Sequence, residues 1–332
     1  MSDLRIPIAA ALALSMVAGC VRGTMPTNPD DVSRTPSAVS VRAAFPDRPH
    51  TTDPGHDRMP IALGDEWIYD RVYHVYSVSP SGDRTSMFAY HSQMTDFMVC
   101  ADSLPSGAYA FRRSTEVPIN PPGATTYTWV GNRQDRRGLY EPDVSIMDPP
   151  ACDQPPPARI TTSPAELGAR MADAAIARLP AGLDAAARIR VGNEIRRLSA
   201  RAAAFEAAMG PHGGVRPGEI QRLAYPLNVG RSWYVRNQPP DLVLTSEVLA
   251  HETCEVPAGR WPTARIGLVW VGSFGPNDVA ELWYGKTGLL RFRYHFEGAP
   301  DPVAGTTVIE NDQRLTHVSL SDDDGRIAVS PR

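Results

Sequence analysis

Four cysteines and eight histidines are the residues of this 332-residue chain best suited to nucleophilic, redox or metal chemistry. Their spacing decides which of these is open. Cys20, Cys100, Cys152 and Cys254 lie far apart, with no Cys-x-x-Cys. His74, His91, His251, His295 and His317 are scattered over apparent strands, so no metal site is predicted. His50 and His56 lie near Asp53 and Asp57, a group suited at most to weak metal binding. Gly285-Lys286-Thr287 has the ending of a phosphate-binding loop, but Ala280 stands where the first glycine is needed. A strand also follows it, where such a loop opens a helix. Asp322-Asp323-Asp324-Gly325 lacks the alternating ligands and closing Glu of a calcium loop. Glu252 and Glu255 fall on opposite faces of one strand, which makes them a poor acid–base pair. No Gly-x-Ser-x-Gly nucleophile appears. The residues therefore predict no catalytic group, metal or cofactor, and favour a noncatalytic role over a hydrolase with an unrecognised site. Net charge is −4 with no basic stripe, which argues against nucleic acid as a partner.

Cys20 differs from the other cysteines because of what precedes it. A mostly apolar run from Ile6 to Val17 is too short to span a bilayer, which takes about 20 residues. It has the length of a signal-peptide core. It ends in Val17-Ala18-Gly19-Cys20, which resembles the lipobox of bacterial lipoproteins. The resemblance implies removal of residues 1–19 as a signal peptide and acylation of Cys20. Several acyl chains on one residue anchor stably, whereas one binds only marginally. Val21 stands where an Asp would signal inner-membrane retention. In a Gram-negative cell the resemblance then implies the outer membrane, facing the periplasm. After the cysteine, residues 20–57 are rich in Pro, Ser, Thr, Asp and Arg and show no regular period. They predict a disordered tether with an end-to-end distance of about 30–35 Å. The expected partners are the membrane through the lipid, and an envelope protein or apolar ligand.

An exported location permits disulfides. Cys152 lies in the proline-rich stretch Pro149-Pro150-Ala151-Cys152-Asp153-Gln154-Pro155, which a bridge could pin down. Cys100–Cys152 is the expected pair, with Cys100–Cys254 as its rival.

The elements that would position these residues come from an internal repeat. Pro60-Ile61-Ala62-Leu63-Gly64-Asp65-Glu66-Trp67 matches Pro226-Leu227-Asn228-Val229-Gly230-Arg231-Ser232-Trp233. Pro105-Ser106-Gly107-Ala108-Tyr109, with Arg113 beyond, matches Pro257-Ala258-Gly259-Arg260-Trp261, with Arg265 beyond. Trp129-Val130-Gly131 and Gly138-Leu139 match Trp283-Tyr284-Gly285 and Gly288-Leu289. The blocks keep one order, so two β-units are predicted, over 58–150 and 216–332. Pro-x-Gly is turn chemistry, and Arg265–Trp270 is rich in strand formers. Leu290–Phe296 alternates apolar and polar residues like a half-buried strand. Thr306–Ile309 and Leu315–Leu320 are expected to form a closing hairpin. Trp67, Trp129, Trp233 and Trp283 are expected as core anchors, with the lining of an apolar cavity as the alternative.

The second unit resembles a group of bacterial envelope lipoproteins. The matching residues are Tyr225 to Trp233, Glu252 to Trp261, and Trp283-Tyr284-Gly285-Lys286-Thr287-Gly288-Leu289. Cys254 departs from the group's pattern, which has a β-branched residue there. The resemblance implies a mainly β fold, an antiparallel and strongly curved sheet or half-barrel, and no particular chemistry. Carriers of lipid use such half-barrels, which makes an apolar-ligand carrier the second functional expectation.

Between the units, residues 151–215 read as a loop and a helical hairpin. Ser163-Pro164-Ala165-Glu166 is a capping box with proline at the first helical position. One helix is predicted to about Leu179 and a second from about Asp184 to Met209, with Gly210 and Pro211 as the stop. Ile189, Ile195, Leu198 and Phe205 are taken as its apolar face, and arginines cover much of the rest. A brace on the sheet is the expected role. A docking surface and a mobile lid are the alternatives.

Overall fold

The computed structural model describes residues 59–104, 107–134, 137–142, 164–209, 219–238, 242–321 and 327–329. Cys20, the predicted signal peptide and tether, Cys152 and the Asp322–Gly325 turn lie outside the described residues.

The chain runs β1 (Glu66–Val78), β2 (Arg84–Leu104), β3 (Gly107–Asn120), β4 (Thr126–Gln134) and β5 (Gly138–Pro142). Two helices follow, α1 (Pro164–Ala177) and α2 (Ala185–Met209). Then come β6 (Glu219–Ala224), β7 (Ser232–Gln238), β8 (Leu242–Val256) and β9 (Gly259–Trp270), followed by β10 (Val279–Gly285), β11 (Gly288–Glu297), β12 (Thr306–Ser321) and β13 (Ile327–Val329). The strand pairs of the described residues are antiparallel, and β1 to β12 lie in the order β6-β5-β4-β3-β2-β1-β12-β11-β10-β9-β8-β7. Apart from the break between β6 and β7, this is sequence order around a ring. The result is the expected mainly β fold, an antiparallel sheet bent into a nearly closed barrel. At the break, the Trp233 indole donates to the Gln221 carbonyl at 3.1 Å, joining β7 to β6.

The two Gly-x-x-Trp segments have the same local geometry. Gly64 and Gly230 have φ of 91° and 86°, a region glycine enters without steric cost. Gly64 N–H donates to Met98 O, and Met98 N–H donates to Asp65 O. Gly230 N–H donates to Val248 O, and Val248 N–H donates to Arg231 O. In each case the turn feeds a strand whose Trp is buried, at 0% exposure for Trp67 and 5% for Trp233.

The inner face carries the main core. On β1 this is the row Trp67, Tyr69, Arg71, Tyr73 and Val75. On β11 it is Leu290, Phe292, Tyr294 and Phe296. The helical hairpin lies on this face. Phe205 of α2 meets Trp270, Phe274, Phe292, Tyr294 and Phe296, with ring centroids 5.4–6.4 Å apart. These are ordinary tilted, edge-on and stacked aromatic contacts.

Two expectations are corrected. Ile189 is 63% exposed and does not belong to the buried face of α2. It precedes Leu198 by roughly two and a half turns at 3.6 residues per turn, so it points the opposite way. Ala187, Val191, Ile195, Leu198, Ala202 and Phe205 form the buried stripe instead. Thr306–Ile309 and Leu315–Leu320 are not two arms of a hairpin but parts of one strand, β12. The polar run Glu310-Asn311-Asp312-Gln313-Arg314 stays extended because both of its faces find partners. Asn311 accepts from Arg71 on the inner face, and Asp312 accepts from Arg291 on the outer face.

Phe205→Ala is expected to lower the free energy of unfolding by about 3–5 kcal/mol. Ile189→Ala should leave it within about 0.5 kcal/mol. Urea titrations of both variants check the assignment of the two faces.

Candidate functional site

The junction of α2 with the inner face gathers more buried polar chemistry than any sequence motif does. Arg71 follows Trp67 and Tyr69 in the inward row of β1, so its guanidinium is carried into the core. It donates to Glu206 of α2 at 2.5 Å, to Asn311 of β12 at 2.8 Å and to Glu116 of β3 at 3.5 Å. Glu116 also accepts from Ser92 at 2.6 Å and from Tyr90 at 3.2 Å. Tyr294 donates to Glu206 at 2.5 Å. Burial pushes the hydroxyls of Tyr73 and Tyr294 well above their ordinary range, and neighbouring Glu206 adds to the shift. They are held as neutral donors and are unsuited to be bases. Arg71, Tyr73, Tyr90, Ser199 and Glu206 help to line a cavity of about 10 Å³. That is near the smallest space that holds one water. It is too small for a substrate.

Three further bonds latch α2 to loops of the barrel. Arg201 meets Asp278 at 2.9 Å, Arg190 meets Asp301 at 2.7 Å, and Ala299 N–H donates to Glu194 at 2.7 Å. The arginines of this helix thus include two that hold it down. Deeper inside, Arg112 of β3 pairs with Asp96 at 3.2 Å and Arg222 of β6 with Glu141 at 2.5 Å. Tyr284 of β10 lies close enough to feel all four charges, so the ring brings distant strands together here.

On the outer face, His295 of β11 lies 2.8 Å from Glu310 and 3.0 Å from Glu297. Tyr76 donates to Glu310 at 2.7 Å. Burial opposes the charge of His295, but the bonds to Glu310 and Glu297 more than reverse this and raise its pKa. The bond from His295 leads the causes that lower Glu310, against its own burial. Neither group stands beside a serine or cysteine nucleophile in the hydrogen bonds found here. His91 pairs with Asp70, His74 with Ser86, and His251 with the Leu227 carbonyl. Among the described residues no three His, Cys, Asp or Glu side chains converge as a metal site.

The residues singled out in the sequence are not brought together. Trp67 donates to the Thr287 carbonyl, which puts Lys286 and Thr287 in a tight β10–β11 turn. Trp283 donates to Glu252 at 2.8 Å and stacks with Arg291 and Arg293, at 5.2 and 5.4 Å from its ring centre. Trp129 belongs to a second, separate cluster with Tyr109 and Phe111, against which Val99 and Cys100 pack. Cys100 is disulfide-bonded, while Cys254 is a free, buried thiol, which rules out the Cys100–Cys254 pair. Burial pushes the Cys254 thiol up to about 11, so it stays protonated and unreactive. Sequence reasoning missed Arg71, Glu206 and the His295 pair. One signal for Arg71 was available: it is the lone charge in an alternating row of aromatic and aliphatic residues.

No protein-family model matches the sequence, and no curated protein does. Among solved structures, similarity is found to a candidate lipoprotein from Parabacteroides distasonis. The identity is 12% and the TM-score 0.30, over 80% of this chain and 100% of that one. A candidate exported protein with a YmcC-like fold from Bacteroides fragilis gives 12% and 0.28, over 78% and 97%. Likenesses this low define no family and carry no functional argument.

Glu206→Gln is expected to cost about 3 kcal/mol, because it removes one partner of a buried pair. The triple replacement Arg71→Met, Glu116→Gln, Glu206→Leu, which leaves no unpaired charge of this cluster, should recover part of that loss, as measured in urea. The outer pair predicts a pH dependence. A raised His295 pKa stabilises the fold fully below its usual 6.5, and the contribution is lost as pH rises through the raised value. A lowered Glu310 pKa stabilises above its usual 4.5, and that contribution is lost as pH falls through the lowered value. Stability measured from pH 4 to 9 should therefore show a step above pH 6.5 that His295→Gln abolishes.

Proposed function

We propose that this chain is a bacterial envelope lipoprotein, acylated on Cys20, that presents a noncatalytic β-barrel to a partner protein from the end of a tether. Residues 17–20 support the anchor, and Val21 supports the outer membrane as its place in a Gram-negative cell. The two turn-and-strand units, with their matching Gly64 and Gly230 geometry, support an origin by duplication.

The observation that carries the noncatalytic reading is the filled inner face. Phe205 occupies the space between Trp270, Phe274 and the aromatics of β11. A carrier of apolar ligands needs a pocket of several hundred Å³, and the cavity lined by Arg71, Ser199 and Glu206 is about 10 Å³. A hydrolase needs a base in reach of a nucleophile and a third group that orients the base; His91 and His295 pair with carboxylates and His251 with a carbonyl, and His74 meets the Ser86 hydroxyl with no carboxylate bonded to its ring among the described hydrogen bonds. Among the described residues, the outer surface is the part open to a partner.

The test is metabolic labelling with radioactive palmitate in a bacterial host, followed by membrane fractionation. The native chain should carry label and sediment with membranes. Cys20→Ala should lose the label and appear in the soluble fraction. An unlabelled native chain would remove the anchor from the proposal.

A further inference from the structure

Ser199 of α2 is 1% exposed, and its hydroxyl has no hydrogen-bond partner among the described residues. A buried hydroxyl left unpaired is costly, and a helical serine ordinarily avoids that cost by bonding to a carbonyl one turn earlier. Ser199 lines the cavity of about 10 Å³ together with Arg71, Tyr73 and Glu206. These neighbours have bonding capacity to spare. An arginine carries five N–H groups, and Arg71 uses three of them, on Asn311, Glu116 and Glu206. The bonds from Arg71 and Tyr294 to Glu206 both fall on Oε1, so among the described residues Oε2 is open to a donor. The Tyr73 hydroxyl lies near enough to feel both Ser199 and Glu206. The space cannot close by a shift of the helices. A Cβ on Gly168 of α1 would meet the Ser199 carbonyl oxygen and the Ala203 Cβ, each at 3.2 Å, so α1 and α2 already touch there.

We propose that this cavity is a binding site for one water molecule, held by Ser199 and Glu206 of α2 and by Arg71 and Tyr73 of β1. Volume selects the ligand. About 10–15 Å³ is the least space that takes a water, and larger solutes are excluded. Charge selects it too. Arg71 and Glu206 offset each other, so the site calls for neither a cation nor an anion. A buried water makes about 3 hydrogen bonds. This one accepts from the Tyr73 hydroxyl, which burial keeps protonated. It donates to Ser199 Oγ and to Glu206 Oε2, and Arg71 has a further N–H to offer. The bridge runs from α2 to β1 beside the direct Arg71–Glu206 pair. It therefore belongs to the contacts that fix the seat of the hairpin, and it completes the polar junction at Ser199, where direct contact stops.

Two measurements on the full-length protein in detergent test the site. In a high-resolution crystal structure, one density peak should stand about 2.7–3.2 Å from Ser199 Oγ and from at least one polar atom of Tyr73, Glu206 or Arg71. A well-ordered junction without that peak overturns the proposal. In urea titrations, Ser199→Ala should lower the folding equilibrium constant about threefold, because the water loses a partner. Alanine is the better helix former, so helix propensity cannot produce the drop. With a dry hydroxyl, the same replacement would relieve an unpaired buried group. Unchanged or raised stability of Ser199→Ala therefore overturns the site as well.

Discussion

A ring of twelve strands encloses more space than its own inward side chains can fill. Eight strands give an interior that side chains just pack, and the diameter grows with each added strand. The rest of the structure depends on how that space is filled. The helical hairpin does it, and one ring, Phe205, meets five aromatic residues from the sheet. A helix must still be held in one place on a curved apolar floor, and apolar contact alone is non-directional. Arg71, Asp278 and Asp301 supply the direction, through Glu206, Arg201 and Arg190.

Those polar contacts sit where their desolvation must be matched. Arg71 is surrounded by Glu206, Glu116 and Asn311, so its charge is never left alone in the core. Arg112 and Arg222 reach Asp96 and Glu141 in the same way. A buried pair of this kind adds little net stability, but losing one partner is severe. The network therefore acts on where the hairpin sits more than on how strongly the protein is folded.

The outer face of the sheet differs from one stretch of strands to another. Over β8 to β12, neighbouring strands are laced by charged pairs, with Trp283 between Arg291 and Arg293 and Asp312 held by Arg291 and Arg314. Over β2 to β4 the outer surface carries an aromatic cluster. One sheet thus carries different surfaces along its outer side, because side chains alternate across a strand and the outer face can vary without disturbing the inner one.

The sequence by itself determined the strand-forming turns, the buried tryptophans at their exits and the extents of the helices, because these depend on local chemistry. Glycine at 64 and 230, proline before α1, and alternation along β11 act within a few residues. The same locality limited it at Ile189 and along β12. The face of a helix is set by what it packs on, and a polar pentapeptide reads as a turn until partners appear on both sides. Tertiary structure alone decided that Arg71, Glu116, Glu206 and Asn311 meet, and that His295 lies between two carboxylates. Arg71, Glu116, Glu206 and Asn311 come from strands and a helix far apart in the chain, and no local spacing encodes their meeting; His295 meets Glu297 on its own strand, but Glu310 only through the β11–β12 register.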